Sequence, residues 1–339
     1  MNPHKKLLVL IFAVMAPLLS FIFLSLFSYY LLFITSYQGD TAPFEVKSGD
    51  TFAKVNTRLK KRNLIKSTRL FHQYARFTSQ MNCLKEGIYP IQAGMNATDI
   101  LKTLCSGQGI TISVTIPEGK NLYEIARLLE EKKLASYEEF KKLSFDQDFL
   151  ASLGIHHFSL EGLLYPETYR FSPKVSTKDI IKTMVSEFNQ KMKEQLSVKT
   201  QEKLNFYQVL TLASIVEKET GHRDERRRIA GVFLNRLKKR MRLQSDPTTI
   251  YSIFENFDGN IKKKHLLEKT SHNTYQMYGL PPGPICNPGI ESIKAVLDPE
   301  HHDYLYFVAS NDGRHIFTTN YKDHRQMVNQ YQKRKKKKN

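Results

Sequence analysis

Residues 7–35, LLVLIFAVMAPLLSFIFLSLFSYYLLFIT, carry no charged side chain, whereas apolar and polar positions alternate at short periods through the rest of the chain. An uncharged run of this length exceeds the roughly 20 residues that a helix needs to cross a bilayer, so residues 7–36 read as a transmembrane anchor. A signal peptide would have an apolar core about half as long, ending in small residues at a cleavage site. Here the run closes on Tyr29, Tyr30, Phe33 and Tyr37, residue types that collect at a membrane–water interface. Lys5 and Lys6 precede it, and only Asp40 and Glu45 follow within the first ten residues. The positive-inside rule then puts residues 1–6 in the cytoplasm and all that follows the helix outside it: a single-pass inner-membrane protein with a periplasmic or otherwise extracytoplasmic body.

Beyond the anchor, FEVKSGDTFAKVNTRLKKRNLI (44–65) is echoed by ISVTIPEGKNLYEIARLLEEKKLA (112–135) at an offset of 70, which aligns Gly49 with Gly119, Val55 with Ile125, Leu59 with Leu129 and Leu64 with Leu134. Each copy predicts a short strand, a glycine turn and an amphipathic helix. Two copies are too few for a solenoid, so residues 43–140 read as two small α+β modules. Their pattern resembles the LysM type of glycan-binding module; a duplicate kept only for packing is the other reading. LEGLLYPETYRF, within residues 141–173, reads as a connection. Helical periodicity then covers 178–195, 206–220 and 223–240, MYGLPPGPICNPG (277–289) predicts an extended loop, and YLYFVAS-NDG-RHIFTTN predicts a hairpin followed by a last basic helix. The expected fold class is α+β: an anchor, the modules, a mostly helical domain over residues 174–331 with a small β element, and a basic tail at 332–339.

One helix carries unexpected charge. In LASIVEKETGHRDE, Glu217 and Glu219 fall on opposite flanks of the apolar arc made by Val209, Leu210, Leu212, Ala213, Ile215 and Val216. Periodicity does not choose between them. Glu219 has the more apolar helical neighbours, Leu212, Ile215 and Val216, and lies in the last turn before Gly221, the expected C-cap, where the helix dipole disfavours a negative charge. Both effects raise a carboxyl pKa, as a general acid at neutral pH requires. The bland alternative is a solvated helix end with Glu219 paired to Arg223 and Glu217 to Lys218 or to a residue elsewhere.

Downstream, Asn235, Arg236, Gln244, Asp246 and Tyr251 gather around a turn at Asp246-Pro247, and Asn273, Thr274 and Tyr275 precede the loop that holds Pro281 and Pro282. Polar side chains concentrated on turns suit a sugar-binding cleft. An excess of 51 Lys+Arg over 33 Asp+Glu gives a charge of +18 and suggests an anionic partner, but part of it lies in the tail Lys333–Lys338, and a translocated body rarely meets DNA. No nucleic-acid partner is expected; phospholipid or an anionic wall polymer fits better. Cys83, Cys105 and Cys286 have no ligand spacing, and Cys83 and Cys105 are open to pairing or to standing as free thiols. His265, His272, His301, His302, His315 and His324 show no HExxH spacing, and no GxSxG occurs, so neither metal nor cofactor is expected.

ASIVEKET, VFLNRL, MRLQSDPTTIY, HNTYQMYGLPPGPICNPG and YLYFVAS, in order over about residues 160 to 330, together resemble the endolytic murein transglycosylases, the YceG-like (MltG) family. The resemblance implies a membrane-anchored enzyme that cuts nascent peptidoglycan glycan strands at the MurNAc-β-1,4-GlcNAc bond, leaves 1,6-anhydroMurNAc ends and so terminates strand elongation, with peptidoglycan synthases as neighbours. It also carries the catalytic acid to Glu219, the second Glu of the triplet, and leaves Glu217 as a supporting acid. Gly221 and His222 after EKET depart from the family pattern and suggest a sharper helix end. Two rivals stand beside this reading: a two-carboxylate hydrolase using Asp246, Glu217 or Glu225 as the second acid, and a non-catalytic peptidoglycan-binding scaffold.

Overall fold

The computed structural model describes residues 3–195 and 204–333; the tail beyond 333 lies outside the described residues. Helix α1 (Pro3–Tyr29) continues into a π-helical turn at Tyr30–Ile34. Its 25-residue stretch Leu10–Ile34 is long and apolar enough to cross a membrane, and most of its side chains are exposed. By contacts the chain divides into two compact units, residues 1–112 and 113–339, the first including this helix.

In the first unit, β1 (Ala42–Val46) pairs antiparallel with β2 (Gly87–Ile91), setting Phe44 opposite Tyr89, and α2 (Phe52–Lys61), α3 (Thr68–Phe77) and α4 (Ala97–Ser106) pack on this ribbon. The core is the inward half of each element: Phe44, Val55, Leu59, Phe71, Tyr89, Ile100 and Leu104, all buried. Asn96 starts α4 with a capping box to Asp99. Cys83 and Cys105 are joined by a disulfide, with Cα atoms 4.9 Å apart.

The second unit begins with β3 (Ile112–Thr115), α5 (Leu122–Glu131), α6 (Tyr137–Phe145), α7 (Gln147–Ser152), β4 (Thr168–Phe171) and α8 (Thr177–Gln195), with β3 paired to β4. This is the same succession, strand-helix-helix-strand-helix, with α7 added. The offset of 70 is kept from strand through first helix, with Gly49 and Gly119 in matching left-handed turns (φ 72° and 79°) and Asn63 and Lys133 both at φ 56° after the helices. Past α7 it becomes 80: Tyr89 and Tyr169 each donate to the carbonyl four residues back, at 2.8 and 2.6 Å, and Thr103 and Thr183 do the same inside α4 and α8 at 2.9 and 2.8 Å. The duplication is therefore longer than the sequence echo, because its second half survives as hydrogen bonding more than as apolar identity. Residues 141–173, read from sequence as a connection, carry α7 and β4 of the second copy.

Helix α9 (Phe206–Glu219) then runs through the core of the second unit, with Val209 to Val216 all buried. A helix apolar on every side has to be covered on every side, and α10 (Arg226–Lys238), α11 (Asp246–Ser252) and α13 (Ile290–Leu297) do this. A short α12 (Lys263–Leu267) precedes the Pro-rich loop, the hairpin β5 (Tyr306–Ala309) and β6 (His315–Thr318) forms with Phe307 opposite Phe317, and α14 (Tyr321–Val328) closes the unit. The architecture is thus mixed: mostly helical, with three two-stranded sheets among the described residues.

The Pro-rich loop is anchored in its second half, at Ile285 and Asn287. Asn287 accepts from the Leu164 backbone at 2.9 Å and donates to Lys120 O at 3.0 Å, while Ser214 of α9 accepts from the Ile285 backbone at 3.0 Å. Gly162 faces this loop at φ +81°, where an added Cβ would stand 2.6 Å from Pro284. Gly162→Ala combines a left-handed alanine with a steric overlap, so it is expected to destabilise the second unit by roughly 2–5 kcal/mol. Chemical denaturation followed by circular dichroism would read this, and a loss below about 0.5 kcal/mol would show that the loop moves aside freely.

Candidate active site

Helix α9 ends at Glu219, one residue earlier than the glycine stop expected from sequence. The C-cap is Thr220 in extended conformation (φ −142°, ψ 137°), and Gly221 has no left-handed backbone. The side chain of Thr220 makes the stop: its hydroxyl accepts from the His222 backbone at 3.0 Å and donates to Glu225 at 3.4 Å. Such local side-chain bonding competes with the next helical turn.

The two carboxylates of this last turn meet different surroundings. Glu217 accepts from Arg226 at 2.8 Å, from the Gly289 backbone at 3.0 Å and from Ser292 at 2.7 Å. It pins α10 and the start of α13 to α9, and neither it nor Glu219 makes the surface pairing with Lys218 or Arg223. Glu219 instead accepts from Ser245 Oγ at 2.5 Å and opens into a cleft of about 450 Å³. Its own surface is half-covered, but protein atoms crowd the carboxyl on all other sides. Burial pushes its pKa up to about 7, against the lowering effect of the Ser245 hydrogen bond; the charge of Asp246 raises it and that of Arg236 lowers it.

Ser245 owes its position to a second segment folded against it. Thr274 Oγ1 accepts from the Ser245 backbone at 3.0 Å and shares a 2.8 Å hydrogen bond with Thr248, and Thr274 O accepts from the Gln244 backbone at 3.2 Å. Gln244 adopts φ 51° to make this turn. Asn273, fully buried, spends its amide on the carbonyls of His265, Leu266 and Glu268 and accepts from Thr249 and the Tyr275 backbone. The Tyr275 hydroxyl donates to Asp246 at 2.7 Å.

Of the residues singled out from sequence, Glu219, Arg236, Gln244, Asp246 and Tyr275 line the cleft together. Arg236 is largely occupied with structure, donating to Leu305 O at 2.7 Å and Leu243 O at 2.6 Å under the ring of Tyr306. Asn235, next to it on the helix, points the other way and holds the carbonyls of His302 and Tyr304 at 2.7 and 3.2 Å. Tyr251 lies in the core and hydrogen-bonds Glu161, a fully buried carboxyl that burial pushes up to about 8. Asn273 and Thr274 are buried behind the cleft, and neither Pro281 nor Pro282 lines it.

The opposite wall was not read from sequence. It consists of Tyr306 to Ala309 and His315 of the hairpin together with Tyr321, His324, Val328 and Gln332. Glu225 accepts from His315 Nδ1 at 2.8 Å and from the His315 backbone at 3.0 Å; burial works to raise the Glu225 carboxyl, and these bonds together bring it below its ordinary value. Glu225 and Glu217 are thus both committed to structure, which leaves Asp246 as the other carboxylate in the cleft. About ninety residues separate Glu225 from His315, and no sequence period links them; the motif RHIFTTN was the only signal. Among the described residues no three His, Cys, Asp or Glu side chains group to hold a metal ion, and Cys286 is buried with its thiol pushed up by burial.

Comparison with known proteins agrees over most of the length. Residues 44–330 match the YceG-like family. A Bacillus subtilis protein named endolytic murein transglycosylase is 34% identical over 309 residues, covering 86% of this chain and 85% of that protein. A Streptococcus pneumoniae protein of the same name is 29% identical over 317 residues, 82% of this chain but 56% of its own longer one. The crystal structure of a yceG-like protein from Listeria monocytogenes superimposes with a TM-score of 0.59 at 33% identity, covering 85% of this chain and 99% of that one. The chain belongs to the YceG-like family.

Proposed function

We propose that this protein is an endolytic murein transglycosylase, a lyase that cuts peptidoglycan glycan strands internally between N-acetylmuramic acid and N-acetylglucosamine. One observation carries the mechanism: the Glu219 carboxyl sits where an apolar helix ends and faces an open cleft, with its pKa pushed up to about 7 by burial. Protonated Glu219 donates to the glycosidic oxygen as the bond to the muramic C1 breaks and positive charge develops on that carbon. The carboxylate left behind accepts the proton of the muramic C6 hydroxyl while its oxygen bonds C1. The 1,6-anhydro ring closes, the acid is regenerated and no water is consumed.

Ser245 orients the carboxyl, and Thr274 acts through Ser245. Gln244 and Tyr275 are placed to meet the sugar's hydroxyl and N-acetyl groups, and the aromatic wall of Tyr306 and Tyr321 offers faces for sugar rings. Residues 7–36 anchor the chain with its N-terminus in the cytoplasm, supported by the apolar helix and the Lys5/Lys6 asymmetry. The disulfide of the first unit suits an extracytoplasmic setting. Residues 43–140 serve as LysM-like glycan contacts, residues 174–331 form the catalytic domain, and cutting nascent strands beside peptidoglycan synthases ends their elongation.

Asp246 keeps the hydrolase reading specific, since it shares the cleft with Glu219. Products of uncrosslinked strands are expected to carry anhydro ends, one water lighter than hydrolysed ends, by mass spectrometry. Glu219→Gln is expected to lower cleavage by about 10²–10⁴-fold while sedimentation with peptidoglycan persists; a variant that still cuts at full rate removes Glu219 as the acid. Asp246→Asn is expected to keep anhydro ends as the only new ends whatever its rate, whereas reducing ends that vanish in this variant would establish a two-carboxylate hydrolase. Because the acid has to be protonated, the rate is expected to be flat below about pH 6 and to fall about tenfold per unit above about pH 7. A profile that rises through this range would contradict the assignment.

A further inference from the structure

The first unit has an apolar surface that its core does not use. Helix α3 buries Phe71 and Ala75 inward, but Leu70, Tyr74 and Phe77, at spacings i, i+4 and i+7, form a second stripe about 100° around the helix from the first. Leu70 is half-exposed and Phe77 is 89% exposed, the most exposed large apolar side chain among the described residues. Arg69, Gln73 and Arg76 are exposed along one shoulder of the stripe. A single surface phenylalanine is ordinary; its position relative to the apolar N-terminal helix is not.

That helix does not lead into the unit through a free tether. Phe33, in its final turn, meets Tyr74 edge-on with ring centres 5.7 Å apart, and Phe33 O accepts from the Asn96 side chain at 3.1 Å. Leu32 and Tyr37 pack against the core of the unit, and the Tyr37 backbone donates to Met95 O at 2.8 Å. The 25-residue apolar span ends at Ile34, so the Phe33–Tyr74 contact sets Tyr74 at the end of the span, and Leu70 and Phe77 share its face of α3. An apolar stripe at this depth with arginines beside it has the pattern of a helix lying in a membrane interface, with the apolar face dipping below the headgroups and the guanidinium groups at phosphate level.

We infer that α3 is an interfacial helix that rests on the bilayer in which the chain is anchored, its partner being the phospholipid surface. This rests on the reading of residues 7–36 as a membrane anchor and extends it from one crossing helix to a two-point attachment. A second contact beside the first restricts the tilt of the first unit, so that unit lies on the membrane rather than hanging from it, and a glycan contact within it would be held at a fixed height above the lipid.

The chain contains no tryptophan, so one introduced indole reports alone. Phe77→Trp and, separately, Phe21→Trp in the middle of the span are placed in the full-length protein, reconstituted in mixed phosphatidylcholine and phosphatidylglycerol vesicles. Each is probed with lipids brominated either near the headgroup or near the chain end. The Phe77→Trp indole is expected to emit blue-shifted and to lose most of its emission to the shallow bromines, and the Phe21→Trp indole to the deep ones. If Phe77→Trp emits as in water and is unquenched while Phe21→Trp is quenched, the interfacial helix is refuted and the anchor stands. Blue-shifted but unquenched emission at Phe77→Trp would assign the stripe to another protein surface, such as a second copy, and equally overturns the proposal. An unquenched Phe21→Trp removes the anchor itself, and the inference with it.

Discussion

Everything around the cleft follows from the burial of α9. Once its central turns are covered on all sides, its last turn has to settle two carboxylates where water is scarce, and an unpaired ionised carboxylate there is costly. The fold answers differently for each. Glu217 receives a buried arginine and two further donors, so its charge is balanced and it ties three helices together. Glu219 receives only the hydroxyl of Ser245, and burial pushes its pKa up to about 7. The same helix end thus holds two carboxyl groups in different settings two residues apart, and their difference is one of partners.

The duplicated units have been put to different uses. In the second unit the turn between β3 and α5 lies under the last turn of α9: Lys218 donates to Gly119 O at 3.3 Å, and a Cβ on Gly119 would stand 3.5 Å from Glu217. Asn287 of the Pro-rich loop joins that turn to the segment at Leu164, and the buried Glu161 accepts from the Leu122 backbone at 3.1 Å and from Asn287 at 3.2 Å. The second copy thereby buttresses the helix that carries Glu219. In the first unit the same succession of elements clamps the end of the apolar helix, with the side chain of its Asn96 cap bonded to Phe33 O. Duplication supplied two rigid pieces, and their surroundings decided what each holds.

The cleft shows how long-range pairing makes a site from unremarkable residues. Ser245 is one hydroxyl in a polar turn until Thr274 aligns it, and His315 is one of several scattered histidines until Glu225 accepts a hydrogen bond from its Nδ1. Asn273, whose residue type suggested a sugar ligand, is consumed by the backbone carbonyls of His265, Leu266 and Glu268 at the end of α12. Residue type pointed to this neighbourhood, and hydrogen-bond accounting separates the side chains that line the cleft from those that hold its wall.

Much was legible from the chain alone, because the relevant forces are local. An uncharged run of 29 residues reports a membrane-length helix, the period of apolar positions reports the helices, a turn dipeptide between β-branched and aromatic flanks reports the hairpin, and dipole and neighbours together favoured Glu219. The tertiary structure alone decided the rest: that Thr220 and not Gly221 stops α9, that Asn235 turns away while Arg236 and Gln244 face the cleft, that the far wall comes from the hairpin and α14, and that the duplication runs through α8. These depend on contacts between segments far apart in sequence, and the pattern of a single segment carries no record of what it will be packed against.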